Sequence, residues 1–383
     1  MIKIIHPNLE RIAEKYFDDI KSKCIERAIY LRKNLNVIFN GLPHIDLTND
    51  PLNGNSKKSL SNVFLVPARK LQDQNNYHQL VVANCRPWVG TYQNAIELIT
   101  DYLSIESNLK ELILCSPENS IQIEVNIKNH IGVNNISYEA ISSVINKIID
   151  YSLFDDLAYG ISSELGYNTC PYCNRSYIHT IIDKRKKGLI RPTFDHFFSQ
   201  TDHPLLALSF YNLIPSCYYC NSSLKGDKVM ELDTHLHPYL EGFGNDIKFR
   251  ILIKDLNSDK SHPENYHLFL ETELEDFQPK FQKTFFSRTP DRDEHKGNIN
   301  LFKLNEIYNA HKDIVGELVV KCDSLSMGYA DSLKGFFPLL KTNKAEFYRF
   351  YFSNYFYESD FHKRPLAKMS KDIVSKTLPY FLE

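Results

Sequence analysis

Apolar residues along the chain follow two different periods, and the switches between them outline its elements. Leu9, Ile12, Tyr16, Ile20, Cys24, Ala28 and Leu31 recur at steps of three or four, which places them on one face of an amphipathic helix. Gly41-Leu42-Pro43 ends that run, and residues 44–62, rich in Asp, Asn and Ser, read as a loop. A second helical run is predicted from Ala95 to Leu114, with Ile96, Ile99, Leu103 and Leu112 on its apolar side. Ile121-Gln122-Ile123-Glu124-Val125-Asn126-Ile127 alternates strictly and predicts a half-buried strand. Ser137 to Phe154 returns to the helical period through Tyr138, Ile141, Ile145 and Ile148.

The character changes near residue 160. From there to about 245 the chain is rich in Cys, His, Asn, Gly and aromatics, with only short apolar runs. Phe249–Ile253 and Tyr266–Leu270 predict strands, and beyond Asn300 the series Leu301, Leu304, Ile307, His311, Ile314 and Leu318 marks another helix. The aromatic tail from Phe347 to Tyr357 predicts a helix packed on several sides, because aromatics at adjacent positions cover more than one face. The expected fold class is α+β: a mostly helical chain with a small site-bearing module at its centre. Three segments follow, a helical domain with a short strand region (1–159), the irregular module (160–245) and a mainly helical, aromatic-rich domain (246–383).

Composition narrows the function classes. The 383 residues are 43% apolar and 24% charged, which is ordinary for globular domains and excludes disorder and fibrous repeats. Forty-five Lys+Arg against 47 Asp+Glu give a net charge of −2, so a wholly basic nucleic-acid binder is excluded while a local basic patch is not. No apolar run approaches the ~18 residues of a membrane span, and Met1 to Pro7 lacks a signal-peptide pattern. A cytoplasmic protein with no membrane association is the expectation.

Of the eight cysteines, Cys24, Cys85, Cys115 and Cys322 stand alone, whereas Cys170/Cys173 and Cys217/Cys220 form two C-x-x-C pairs. In a reducing compartment such pairs read as metal ligands rather than disulfides. Two intervening residues let both sulfurs of a knuckle reach one zinc ion, and four thiolates complete its tetrahedron. The expected ion is one structural zinc per chain, with no open position for chemistry. Forty-three residues separate the knuckles, so something is inserted between them.

That insertion contains Phe194-Asp195-His196-Phe197-Phe198-Ser199 and Tyr211-Asn212-Leu213-Ile214-Pro215-Ser216, and Asn221-Ser222-Ser223-Leu224-Lys225-Gly226-Asp227 follows the second knuckle. An acidic-His pair, an Asn and a second Asn, in this order and framed by knuckles, resemble the HNH endonucleases, the ββα-metal or His-Me finger family. The resemblance covers roughly residues 168–240 and is nearest to the four-cysteine HNH proteins of bacterial anti-phage systems, the Septu type and Septu-like retron effectors among them. It implies a central ββα-metal nuclease core stapled by the zinc site. It further implies that Asp195 and Asn221 hold a catalytic Mg²⁺ or Mn²⁺ and that Asn212 fixes the loop carrying His196.

The chemistry suits those residue types. Phosphodiester hydrolysis needs a base for water and a cation to offset charge on the phosphate and the departing oxygen. His196 is the candidate base because imidazole titrates near neutral pH. Asp195, its neighbour on a strand, points to the opposite side of the pleat unless the strand end is twisted or bulged. Oxygen donors suit hard ions. The family's third letter is often His and here is Asn221, which favours Mg²⁺ over softer ions and also suits a helix cap. Lys225 is a candidate phosphate contact. His235 and His237 read as supporting or surface residues, His203 as a turn residue, and His179 receives no role.

Between Cys170 and Asp195 lie Arg175, Lys184, Arg185, Lys186, Lys187 and Arg191 against Asp183 and Asp195, a local charge of +4. Lys184 to Lys187 and Arg191 are candidate phosphate contacts, which add salt-dependent affinity without sequence choice. The expected activity is a metal-dependent endonuclease acting on DNA, leaving 5′-phosphate and 3′-hydroxyl ends, as a defence effector. The resemblance implies a partner such as an ATPase, and the same site suits a tRNA-cleaving ribonuclease. The bland alternative is a zinc-stabilised nucleic-acid-binding scaffold with a dead site.

Overall fold

The computed structural model describes residues 1–40, 92–132, 135–185, 187–255, 257, 259–260, 262–285, 295–325, 327–336 and 343–378. The break at Gly41-Leu42-Pro43, the loop over 44–62, Cys85 and Lys186 lie outside the described residues. The chain is mostly helical with small sheets, an α+β arrangement, and it divides into two compact units. One unit comprises Asn8–Ile161 and Phe198–Leu213, the other Met1–Pro7, Ser162–Phe197 and Ile214–Glu383. Among the described residues, no helix is long and apolar enough to cross a membrane.

The first unit is helical: α1 (Leu9–Phe39), α2 (Gln93–Ser104), α3 (Glu106–Ile113), α4 (Pro117–His130), α5 (Asn135–Ile148) and α6 (Ser152–Asp155). α1 buries Ile12, Tyr16, Ile20, Cys24, Ala28 and Leu31 along the expected stripe. The run predicted over Ala95–Leu114 is two helices, because Ile105 is extended (φ −90°, ψ 118°). An unbroken helix would turn Glu106 and Lys110 onto the face of Ile96, Ile99 and Leu103. The break resets the phase so that Leu109, Leu112 and Ile113 are buried instead. The helix expected through Phe154 likewise stops at Ile148 and resumes at Ser152.

The strand expected over Ile121–Ile127 is a correction: these residues belong to α4. Pro117 at the first helical position presets the helical φ, and the buried stripe is Pro117, Ser120, Glu124 and Ile127, a three-four spacing. Ile121 and Val125 face solvent. The alternation misled because two members of the inward stripe are polar. Glu124 is tolerated there because His203 Nδ1 lies 2.5 Å from its carboxylate and Lys128 lies at 3.7 Å.

The second unit carries α7 (Ala158–Leu165), the hairpin β1 (Ile181–Ile182)/β2 (Gly188–Ile190), the pair β3 (Thr193–His196)/β4 (Leu213–Ser216) and the ribbon β5 (Ile247–Ile253)/β6 (Tyr266–Thr272). Helices α8 (Pro279–Phe285), α9 (Asn298–Leu301), α10 (Leu304–Asn309), α11 (Lys312–Ser324), α12 (Met327–Phe336), α13 (Lys344–Phe352) and α14 (Ala367–Thr377) follow. β5 and β6, which contain the two strands expected over Phe249–Ile253 and Tyr266–Leu270, pair antiparallel from Ile247↔Thr272 to Ile253↔Tyr266. A lone two-stranded ribbon is marginal and leaves two open edges. Here side chains from the helices close them. Asn309 accepts from Leu268 N and donates to Leu268 O, Asn305 accepts from Leu270 N, and Asp372 accepts from Phe249 N.

The helix expected beyond Asn300 is three helices, interrupted at Lys303, which takes a left-handed φ of 46°. In the aromatic tail Phe347, Tyr348 and Phe352 are buried on α13 while Phe350 and Tyr357 are exposed. Residues at the start of the chain pack into this unit: Ile2 N donates to Pro171 O and Ile4 N to Pro238 O. Gly242 admits that segment, since a Cβ there would sit 2.6 Å from Lys3 N.

Asn309→Ala strips both backbone groups of Leu268 of their partners, and each unsatisfied group costs about 1–3 kcal/mol. The expected outcome in urea unfolding is a loss of about 2–6 kcal/mol, with no change in slope.

Candidate metal centre

Each knuckle is a tight turn closed by its own backbone: Asn174 N donates to Cys170 O at 2.7 Å and Asn221 N to Cys217 O at 3.0 Å. The turns bring Cys170, Cys173, Cys217 and Cys220 together as four free, buried thiols whose sulfurs all lie within 4.8 Å of one another. A tetrahedron of ~2.3 Å Zn–S bonds has edges of about 3.8 Å, and Cys173 Sγ lies 4.0 Å from Cys217 Sγ. Burial pushes the Cys170 thiol up and hydrogen bonding to Cys170 pushes Cys220 up, while hydrogen bonds from Cys170 hold Cys173 and Cys217 down. A buried, four-sulfur donor set of this size fits a metal such as zinc and leaves no ligand position for water. Among the described residues, no second group of three or more His, Cys, Asp or Glu side chains converges in this way.

The first knuckle is anchored by a residue the sequence reading passed over. Asn174, fully buried, takes a left-handed φ of 46°, a conformation asparagine tolerates better than most residues. Its side chain donates to Thr169 Oγ1 and Phe361 O and accepts from Lys368 N, tying the turn to the start of α14. Tyr308 adds a hydrogen bond from its hydroxyl to Cys173 O. The signal was present, because an asparagine follows each second cysteine, at Asn174 and Asn221.

The second knuckle runs into a seven-residue π-helical turn, Tyr219–Lys225, where the resemblance implies the α-helix of a ββα unit. Gly226 N donates to Asn221 O, and Gly226 (φ 51°, ψ −126°) ends the turn in a conformation that favours glycine. This turn reaches back to β3 at two points. Asn221 Nδ2 donates to Phe194 O at 3.4 Å, and Lys225 Nζ donates to His196 O at 2.6 Å and Asp195 Oδ1 at 2.7 Å.

Asp195 is 2% exposed, and its second oxygen accepts from the Tyr172 hydroxyl at 2.7 Å. Tyr172 in turn stacks on Phe302, with ring centres 4.5 Å apart. Both carboxylate oxygens are therefore engaged by protein groups, and Lys225, 4% exposed, is an internal cation rather than a surface one. His196, the last residue of β3, is half-buried. Nothing in the sequence marked Tyr172, a residue between two cysteines, as the partner of Asp195.

The remaining candidates have partners of their own. Asn212 accepts from Phe198 N and donates to Phe198 O and Leu206 O, fixing the backbone two residues after His196 in the chain. Lys184, Arg185 and Lys187 are exposed at the tip of the β1–β2 hairpin, where Asp183 accepts from the Arg185 and Lys187 amides. Arg191 is half-buried and donates to Pro192 O. His235 and His237 are buried rather than on the surface: His235 reaches His295 O, and His237 packs on Phe197 at 4.3 Å. His203 pairs with Glu124, and His179 stacks on Tyr177.

Three outcomes are expected. Zinc-loaded protein is expected to hold one zinc per chain by elemental analysis, and Cys170→Ser or Cys217→Ser to lose it together with cooperative unfolding of this unit. Because the ligand thiols must be deprotonated, zinc occupancy falls as pH is lowered. Lys225→Ala leaves a carboxylate buried without its cation, a change that costs about 3–5 kcal/mol, so the thermal midpoint of unfolding drops by several degrees. Comparison of the chain with protein-family models, with curated proteins and with solved structures finds no match.

Proposed function

We propose that the chain is a metal-dependent endonuclease of the HNH type, hydrolysing phosphodiester bonds of DNA, with structural zinc at Cys170, Cys173, Cys217 and Cys220. The observation that carries this reading is the grip of the post-knuckle turn on β3. Asn221 and Lys225 bond to the backbone carbonyls of Phe194 and His196, so the cysteine clamp holds the strand backbone from which His196 extends. A Mg²⁺ or Mn²⁺ ion, when bound, offsets charge on the phosphate and the departing oxygen. His196 accepts the proton of the attacking water. Asn221 donates one Nδ2 hydrogen to Phe194 O, and its Oδ1 is an oxygen ligand of the hard type such an ion prefers. Asp195 serves the same ion only by sharing or releasing the Lys225 ammonium, so Lys225 holds the carboxylate in place rather than touching phosphate. Lys184, Arg185 and Lys187 supply backbone charge neutralisation. A role in anti-phage defence, with a partner such as an ATPase controlling cleavage, rests on the motif resemblance.

The test is cleavage of plasmid DNA and of tRNA by zinc-loaded protein with Mg²⁺ or Mn²⁺, alone and with a candidate partner. His196→Ala is expected to lose about 10²–10⁴-fold in rate while keeping its zinc and its unfolding midpoint. Cleavage confined to tRNA would move the assignment to a ribonuclease. Undiminished cutting by His196→Ala, or binding with no nicking under any of these conditions, would remove the nuclease reading in favour of a zinc-stabilised binding module.

A further inference from the structure

We propose that Tyr218 and Tyr219, the two residues between the cysteines of the second knuckle, form a stacking platform for unpaired nucleobases. The chain then engages single-stranded or locally opened nucleic acid, an inference that rests on the nuclease reading only for placing this strand beside a cleavage site.

The two knuckles are alike in spacing and opposite in what they do with their aromatic residues. In the first, Tyr172 is fully buried, stacked on Phe302 and donating to Asp195. In the second, Tyr218 and Tyr219 are 63% and 57% exposed, although the cysteines on either side are buried. A metal knuckle needs nothing aromatic at these positions, and two adjacent exposed rings contribute little to folding. The rings are held nearly perpendicular, 77° apart with centres separated by 6.3 Å, so they present differently oriented faces to solvent.

Charge around the pair selects the ligand. The Arg175 guanidinium, from the first knuckle, lies over the Tyr219 ring at 5.8 Å. Its Nε is buried and finds no hydrogen-bond partner among the described residues, so any phosphate contact falls to the terminal nitrogens of the guanidinium. A cation against one side of an aromatic ring leaves the other side for a neutral π-face, and the cation itself favours a nearby phosphate. On the far side of Cys220 the turn continues with Asn221 and the exposed Ser222 and Ser223, polar neighbours that do not extend the tyrosines into an apolar patch. Aromatic faces beside a guanidinium and hydroxyls suit a base on a charged backbone better than an apolar protein surface. Tyr219 and Asn221 also share the π-helical turn, so a base stacked on the ring is two residues from the proposed metal ligand.

The experiment measures fluorescence anisotropy of a short labelled oligothymidylate and of a labelled duplex with zinc-loaded full-length protein, Ca²⁺ replacing Mg²⁺ to withhold cleavage. The wild-type chain is expected to prefer the single strand. Tyr218→Ala/Tyr219→Ala weakens single-strand binding roughly five- to a hundredfold and leaves duplex binding unchanged. The paired Phe substitutions, which keep the rings, restore it. Alanine variants that bind single strands like wild type, Phe variants as weak as Ala, or a wild-type chain indifferent to strandedness each overturn the platform. Should the alanine pair lose zinc, photocrosslinking of iodouracil-substituted oligonucleotide to the wild-type chain decides. Adducts on Tyr218 or Tyr219 support the proposal, and adducts only elsewhere, or none, overturn it. These readouts need no turnover, so a failed cleavage assay and a failed platform are separate results.

Discussion

Four buried thiols crowded within 4.8 Å of one another are the constraint around which the second unit is organised. Sulfur pairs drawn from segments 43 residues apart in sequence have no reason to converge on packing grounds alone. A shared cation would resolve the conflict, because it would stabilise all four as thiolates, Cys170 included, whose thiol burial pushes up, and would offset the entropy of closing the loop between them. Everything between the knuckles is then a loop of defined span, and β3 and β4 pair within it.

A second buried charge arrangement transmits that order to the candidate catalytic strand. Lys225 leaves the second knuckle and ends on Asp195 and His196 O, while Tyr172 leaves the first knuckle and ends on the other Asp195 oxygen. One carboxylate thus receives a donor from each side of the cysteine cluster. A buried ion pair is a poor source of net stability, since desolvation offsets its attraction. Its value here is specificity of position: any slip of β3 by one residue would put Asp195 on the wrong face and leave both donors unmatched.

The same logic recurs where the ribbon β5–β6 meets its helices. Asn305, Asn309 and Asp372 act as detached pieces of a sheet edge, supplying from helices the acceptors and donors that a third strand would have provided. Asp372 is itself neutralised by Lys368, both buried on α14. Polar side chains in this unit therefore do much of the positioning that apolar packing does in the helical unit, which fits the scarcity of long apolar runs after residue 160.

What the amino-acid order determined alone was local: the face of α1, the strands β5 and β6, and above all the cysteine spacing, whose geometry depends on a few neighbouring bonds. Tertiary structure decided the rest. Ile121 to Ile127 has the period of a strand yet lies in α4, because a distant histidine makes a buried Glu124 acceptable and so legitimises a helical stripe that looks polar in sequence. Asn174 and Asn221 follow their knuckles identically, but one anchors α14 and the other reaches β3, a difference set by partners remote in the chain. Tyr172 and Tyr219 occupy the same second x position of their knuckles, and only the surrounding fold sends the first inward and leaves the other in water. Spacing can announce that a metal turn exists. Which way its side chains face depends on long-range packing, which no local pattern contains.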